Sequence, residues 1–276
     1  MSIDADATAT VRGLIDFHLH AAPDVRPRRL TWLQLATDAR AAGMAGLVAK
    51  SHHAVTADVA AVVQEAVPEL RLWGGVTLNR AVGGINPDAV AAALAMNGRI
   101  VWMPTHDALA HAAGPPLPVL TDRGALRDEV VEVIDLVAEA RAVLCTGHLG
   151  QREVMAVAEY ARGRDCKVVV THPEHRVNHI DVAAQKELSA AGAVLERLLP
   201  RAHTVTDLAG IAARISGVGC ESSILGSDLG QPDQPHPVDG FAGFISGLTK
   251  LGFSDREIGR MARELPLALL DEAAPR

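Results

Sequence analysis

Short apolar runs alternate along the chain with amphipathic stretches, and the unit recurs eight times. The runs are 14–20 (LIDFHLH), 46–52 (GLVAKSH), 70–79 (LRLWGGVTLN), 99–105 (RIVWMPT), 142–148 (AVLCTGH), 167–173 (KVVVTHP), 193–199 (AVLERLL) and 224–229 (ILGSDL). Runs of this length between loop residues predict buried strands. The stretches between them predict helices. TWLQLATDARAAG (31–43) spaces Leu35, Ala36 and Ala39 on one face and stops at Gly43. NPDAVAAALAMNG (86–98) offers Asn86 as N-cap, Pro87 at the first helical position and Gly98 as terminator. RDEVVEVIDLVAEAR (127–141) has acids early and an arginine late, as the helix dipole favours. Strands alternating with helices in this way predict an α/β chain, a single-domain (β/α)8 TIM barrel over residues 13–276. A doubly wound open sheet is the alternative, but no Gly-rich dinucleotide fingerprint follows the first run.

Two segments fall outside the repeat. Residues 1–12 (MSIDADATATVR) are polar and Ala/Thr-rich, and are expected to form a flexible N-terminal tail. Residues 106–126 are rich in Pro and Gly and predict an irregular loop after the fourth run. A barrel puts that loop on its catalytic face, where it serves either as a lid or as a plain surface insertion.

Composition narrows the function. Hydrophobic residues make up 49% of 276, enough for a large core. The formal net charge is −7 and no basic run stands out, which disfavours nucleic acid as a partner. No run approaches the roughly 18 apolar residues of a membrane span. The three cysteines include no CxxC pair, and the N-terminus lacks the basic and apolar parts of a signal peptide. The expectation is a cytoplasmic protein acting on small molecules.

The chemistry gathers at the ends of the runs. His18 and His20 share parity at the end of the first run, so both should face one side of the strand. The second run ends at Lys50, followed by His52 and His53, and the third at Asn79. The fifth ends at His148, the sixth at His172 and the eighth at Asp228, while the seventh carries Glu196. In a barrel these positions converge. So many ionisable groups cannot share a dry volume without compensating charge, which a divalent cation supplies. Imidazole and carboxylate donors suit zinc first, with manganese, iron, nickel or cobalt as alternatives.

These residues resemble the amidohydrolase superfamily, whose members are metal-dependent hydrolases on a distorted (β/α)8 barrel. The resemblance runs from about residue 14 to 270. More narrowly, HLHAAPDV, KSHH, TLNRAVGGINP, VWMPT, TGHLG, THPEH and GSDLGQ resemble an amidohydrolase-like family known by a domain-of-unknown-function label. The resemblance implies that His18 and His20 bind the more buried metal, and that His148 and His172 bind a second ion or complete the first. It makes Asp228 a metal ligand and the general base. Many binuclear members place a carboxylated lysine or a glutamate on strand four, where this chain offers only His106 and Asp107. Lys50 is the substitute: a carbamylated bridge, a free ammonium or a structural ion pair. His52, His53, Asn79, Arg26 and Glu196 are candidate substrate contacts, Glu196 alternatively orienting a histidine. His175, His179, His203 and His236 are expected at the surface.

The implied reaction is hydrolysis of an amide, cyclic amide or ester, lactones included, with one or two divalent ions. Three alternatives stand beside it. One is a phosphoesterase of the polymerase-and-histidinol-phosphatase type, which usually carries a glutamate on strand three where Asn79 stands here. Another is a lyase using Lys50 as a Schiff base. The last is a non-catalytic metal-binding barrel, which would have no need of the base Asp228. Barrels of this kind often pair, so a homo-oligomer is compatible with the sequence.

Overall fold

A computed structural model describes residues 5–271. The strands are β1 (Ile15–Leu19), β2 (Gly46–Ala49), β3 (Arg71–Trp73), β4 (Gly75–Thr77), β5 (Ile100–Trp102), β6 (Val143–Cys145), β7 (Lys167–Val170), β8 (Val194–Leu198) and β9 (Ser223–Gly226). All pair in parallel, β1 to β3 in one ladder and β4 to β9 in another. Eight apolar runs thus yield nine strands, because the third run divides at Gly74. Thr56 crowds this point: its hydroxyl accepts the Gly75 N–H at 2.9 Å, and a Cβ on Gly74 would stand 2.2 Å from its carbonyl oxygen. The circuit returns from β9 to β1 through two hydrogen bonds, Asp228 N–H to the His18 carbonyl at 2.7 Å and His20 N–H to the Leu229 carbonyl at 2.8 Å. The architecture is a distorted (β/α)8 barrel.

The helices form where capping chemistry and apolar spacing coincide. Trp32–Ala41 starts at a capping box in which Thr31 and Gln34 each accept the other's backbone N–H, and it buries Trp32, Leu35, Ala36 and Ala39. Asn86 caps Pro87–Ala95 through the Asp88 N–H at 3.0 Å. Asp128–Glu139 buries Val130, Val133, Ile134 and Val137. Part of the segment expected to be a loose tail is ordered: Ala5–Val11 is helical and Val11 is fully buried. Residues 1–4 lie outside the described residues. No described helix is long and apolar enough to cross a membrane.

The barrel interior holds Ile15, Phe17, Val48, Trp102, Cys145, Val169 and Ile224. Leu265 and Leu269 from the C-terminal helix pack against the same cluster, beside strand-start residues such as Ile15 and Val143. That end is plugged with hydrocarbon and tied by Arg99 Nε to the Leu270 carbonyl at 2.9 Å and by Lys167 Nζ to the Ala268 carbonyl at 3.1 Å, and the histidine cluster is left to the opposite mouth.

A second buried polar group lies on the outer face of β8. Arg197 is wholly buried, ion-paired with Glu174 and hydrogen-bonded to Gln185 Oε1 at 2.7 Å, while Arg214 Nε lies 3.7 Å from Glu174. Replacing Glu174 with leucine leaves that guanidinium uncompensated. The expected loss of stability is about 3–5 kcal/mol, measured by urea unfolding. A loss below about 1 kcal/mol would mean that the pair contributes no more than an exposed one.

Candidate metal centre

The first strand delivers two imidazoles by breaking its own alternation. Ile15 and Phe17 face the barrel interior, whereas Leu19 and Ala21 pack outward against the helices. Between Asp16 and Leu19 the register with β2 shifts. This bulge turns His18 inward directly after Phe17, and His20 follows on the same side. Asp16 fixes it, its Oδ1 accepting the N–H groups of His18 at 3.1 Å and Ser227 at 2.9 Å. Burial pushes the Asp16 carboxyl up to about 7, opposed by those hydrogen bonds.

Both histidines are held as the tautomer a metal requires. His20 Nδ1 lies 2.9 Å from the Lys50 carbonyl oxygen, which can only accept, so Nδ1 carries the proton and Nε2 is bare. His18 Nδ1 lies 3.0 Å from Glu196 Oε2, an arrangement in which a carboxylate orients a ligand imidazole. The bare Nε2 atoms then face Asp228 Oδ1 at 3.2 Å from His20 and 3.6 Å from His18. A bare His20 Nε2 lone pair and a carboxylate oxygen so placed repel one another unless a cation lies between them. Burial lowers the His20 imidazole to about 4, so it is neutral at physiological pH. Asp228 stays far below the usual carboxylate range despite burial, held there by its hydrogen-bonding and charged neighbours. Its Oδ2 accepts from Arg201 Nη2 at 2.9 Å, which leaves Oδ1 for the histidines.

Lys50 Nζ lies 3.2 Å from His18 Nε2, and the side chain is fully buried. Burial lowers its pKa, with Glu196 and Asp228 acting the other way. His172 and His148 stand beside this group, their rings 4.8 Å apart and that of His172 5.9 Å from His18. Burial holds both far below the ordinary imidazole range. His172 Nδ1 is buried with no hydrogen-bond partner, the mark of an atom awaiting a ligand. His172 and Asp228 both have left-handed backbones, with φ of 27° and 53°. Such strain in non-glycine residues concentrates at functional sites. The turn delivering His148 depends on Gly147, whose φ is 60° and where a Cβ would stand 2.2 Å from the Met103 carbonyl oxygen.

The other expected substrate contacts divide. Glu196 is fully buried behind His18 and also accepts the His172 N–H at 3.1 Å, so it fixes the positions of those two histidines. Asn79 is likewise buried. Its amide donates to the His52 carbonyl at 2.9 Å and to Thr105 Oγ1 at 2.6 Å, and its Oδ1 accepts the Thr105 N–H at 2.9 Å, so it fastens loops beneath the mouth. His52 bonds Thr105 Oγ1 at 2.8 Å and stacks 4.8 Å from His20. His53 is half-buried and its Nδ1 lies 3.3 Å from Asp24 Oδ1. Arg26 is exposed at the rim, near enough for its charge to lower His106 and His111 further after burial has done so.

Three site residues were not singled out by the sequence pattern. Arg201 clamps Asp228 from two residues beyond the seventh run. His175 and His203, expected at the surface, line the mouth with rings 4.5 Å apart. His175 Nδ1 accepts the Val177 N–H at 3.1 Å, so its neutral ring carries the proton on Nε2 and acts there as a donor, not a ligand. His236 is buried too, but its contacts lie outside the histidine cluster: it accepts the Val238 N–H and pairs with Asp38 at 3.0 Å. His179 is exposed as expected.

Imidazoles and a carboxylate gather at the open end of a parallel barrel, a fold that solved structures share. An amidohydrolase from Pseudomonas aeruginosa superposes with a TM-score of 0.67 at 12% identity, over 97% of this chain and 98% of that one. A mutant organophosphorus hydrolase gives 0.64 at 15% identity, over 98% and 97%. The phosphotriesterase homology protein from Escherichia coli, complexed with phosphate in its active site, gives 0.60 at 14% identity, over 93% and 98%. No curated protein matches the chain in sequence. Residues 13–196 match the model of the family of unknown function DUF6282, and the chain belongs to that family.

Proposed function

We propose that this chain is a metal-dependent hydrolase of the amidohydrolase type, cleaving an amide, cyclic amide or ester bond, lactones included, of a small molecule. One observation carries the reading: the Nδ1 protons of His18 and His20 are spent on Glu196 and the Lys50 carbonyl, so two bare Nε2 atoms meet Asp228 Oδ1. His18, His20 and Asp228 would hold the deeper cation, zinc by the softness of the donor set. Lys50, His148 and His172 are the donors within reach of a further ion, Lys50 after carbamylation of its amine. A divalent cation held there would supply Lewis acidity to the scissile group and to the attacking water. Asp228 Oδ1 accepts the proton of that water, and Arg201 on Oδ2 keeps the carboxylate aimed. His175 Nε2–H and His53 line the mouth as hydrogen-bonding groups for the substrate, with Arg26 at the rim to meet an anionic substituent. The full burial of Lys50 argues against a Schiff-base role, since a carbonyl substrate has to reach Nζ.

The test is metal content by elemental analysis, together with hydrolysis of parallel lactone, amide and phosphoester panels. Bound transition metal, and lactone or amide turnover lost to chelator and restored by zinc, are expected. Chelator-insensitive turnover, or a metal-loaded protein inert on all three panels, would overturn the reading. Turnover confined to phosphoesters would move the protein to a different reaction class.

A further inference from the structure

We propose that the loop after β5 carries its own cation site, formed by His106 and His111 together with His148. The inference meets the proposed function only at His148: it names the partners of that residue as loop histidines in place of Lys50 and His172.

One candidate ligand atom from each of the three lies within 4.8 Å of the others. The loop is built to hold them there. Asn79 Oδ1 accepts the N–H groups of Thr105 at 2.9 Å and Asp107 at 3.2 Å, and the His148 N–H donates to the Pro104 carbonyl at 2.9 Å. A tight turn follows, Ala108 N–H to the Thr105 carbonyl at 3.1 Å and His111 N–H to the Ala108 carbonyl at 2.9 Å, which returns His111 towards His106. Their rings stand 4.9 Å apart, and that of His111 stands 4.8 Å from His148.

Two features of this trio ask for a cation. His111 Nδ1 and His148 Nδ1 face each other at 2.6 Å, where only one of the two can supply a proton. His106 Nε2 is buried without a hydrogen-bond partner. Zinc–imidazole bonds near 2.0–2.1 Å place tetrahedral nitrogen donors about 3.3 Å apart. His106 closes on the other two and the tight pair opens, both small adjustments for a loop. Three imidazoles without a carboxylate select zinc, cobalt, nickel or copper over magnesium or calcium. The fourth position stays open to water or to an anionic group. Bound there, the ion ties the loop to the turn after β6 and closes one side of the mouth.

The probe is Co(II) added to the metal-free protein, with bound metal per chain measured after gel filtration and the visible d–d absorption recorded. The His106→Ala and His111→Ala variants should each bind one equivalent fewer than the parent, or bind it more than about 100-fold more weakly, a larger loss than an outer-shell change causes. The exposed His179→Ala variant should match the parent. Circular dichroism confirms folding, and His111 is a half-buried loop residue whose loss the core does not feel. Unchanged stoichiometry and affinity in both loop variants overturns the inference, as does a parent protein that binds no Co(II). The double variant His18→Ala/His20→Ala separates the two proposals. Metal that survives there and disappears in His111→Ala supports the loop site while sinking the deeper one.

Discussion

Asp228→Asn is expected to lower metal-dependent turnover by about 10²–10⁴-fold while leaving the fold intact. The side chain keeps its volume and can still accept from Arg201 Nη2, and the Asp228 N–H still donates to His18, so the junction of β9 with β1 survives. What disappears is the negative charge facing two bare imidazole nitrogens, and with it the group that takes a proton from water. Affinity for the cation falls as well, so turnover has to be read at saturating zinc. A defect that saturating metal fully repairs would make Asp228 a ligand only; one that persists assigns it the proton. His18→Ala should behave differently. It removes the bond to Glu196 and a metal donor together, so metal content falls first and activity follows. His236→Ala is the control. It costs stability through the lost contacts with Asp38 and Val238, yet leaves metal content and turnover per folded molecule unchanged. Equal losses of turnover in all three variants would contradict the assignment of the site.

The barrel was legible because its strands are short apolar runs separated by capped helices, and Thr31, Asn86 and Asp128 mark helix starts by local chemistry alone. His18, His20, His148, His172 and Asp228 were legible because each ends an apolar run. The bulge in β1 was not, since it depends on Asp16 reaching Ser227 across the sequence. Simple alternation puts Asp16, His18 and His20 on one side; the observed strand needs a register shift to bring the histidines inward after Phe17. The division at Gly74 arises from Thr56, again a tertiary contact. Arg201, His111, His175 and His203 come from loops, whose path no hydrophobic period encodes. The run pattern offered Glu196 and Asn79 as candidate substrate contacts, but only the structure shows that Glu196 Oε2 meets His18 and His172 while the Asn79 amide ties down Thr105 and the His52 carbonyl.

Acid should unfold the metal-free protein well above the pH at which its carboxylates titrate. His20, His52, His148 and His172 are buried and depressed, His20 to about 4, while an unfolded chain protonates them near 6.5. Above pH 6.5 these rings are neutral in both states and contribute no pH dependence. As pH falls below 6.5 the unfolded chain takes up protons that the folded one refuses, so stability declines until the folded pKa is reached. For His20 alone the interval is worth about 3 kcal/mol, and the other buried rings act in the same direction. Asp16 opposes them. Its folded pKa, raised to about 7, gives stability that is complete below its unfolded value and lost as pH rises through 7. One such carboxyl set against four buried imidazoles leaves the balance with the histidines. Urea midpoints of the chelator-treated protein should therefore fall steadily from pH 6.5 to 5, against a total stability of only about 5–15 kcal/mol. Zinc should raise the midpoint at pH 7 and make the acid decline steeper, because protons then compete with the metal for the same nitrogens. A midpoint that stays level or rises as pH falls from 6.5 to 5 would mean that the folded protein holds these imidazoles charged. Bare lone pairs would then no longer face Asp228, and the case for a cation between them would fail. Asp16→Asn isolates the opposing contribution: it should steepen the loss between pH 6.5 and 5 if the carboxyl is protonated in the folded state, and leave the slope unchanged if it is not.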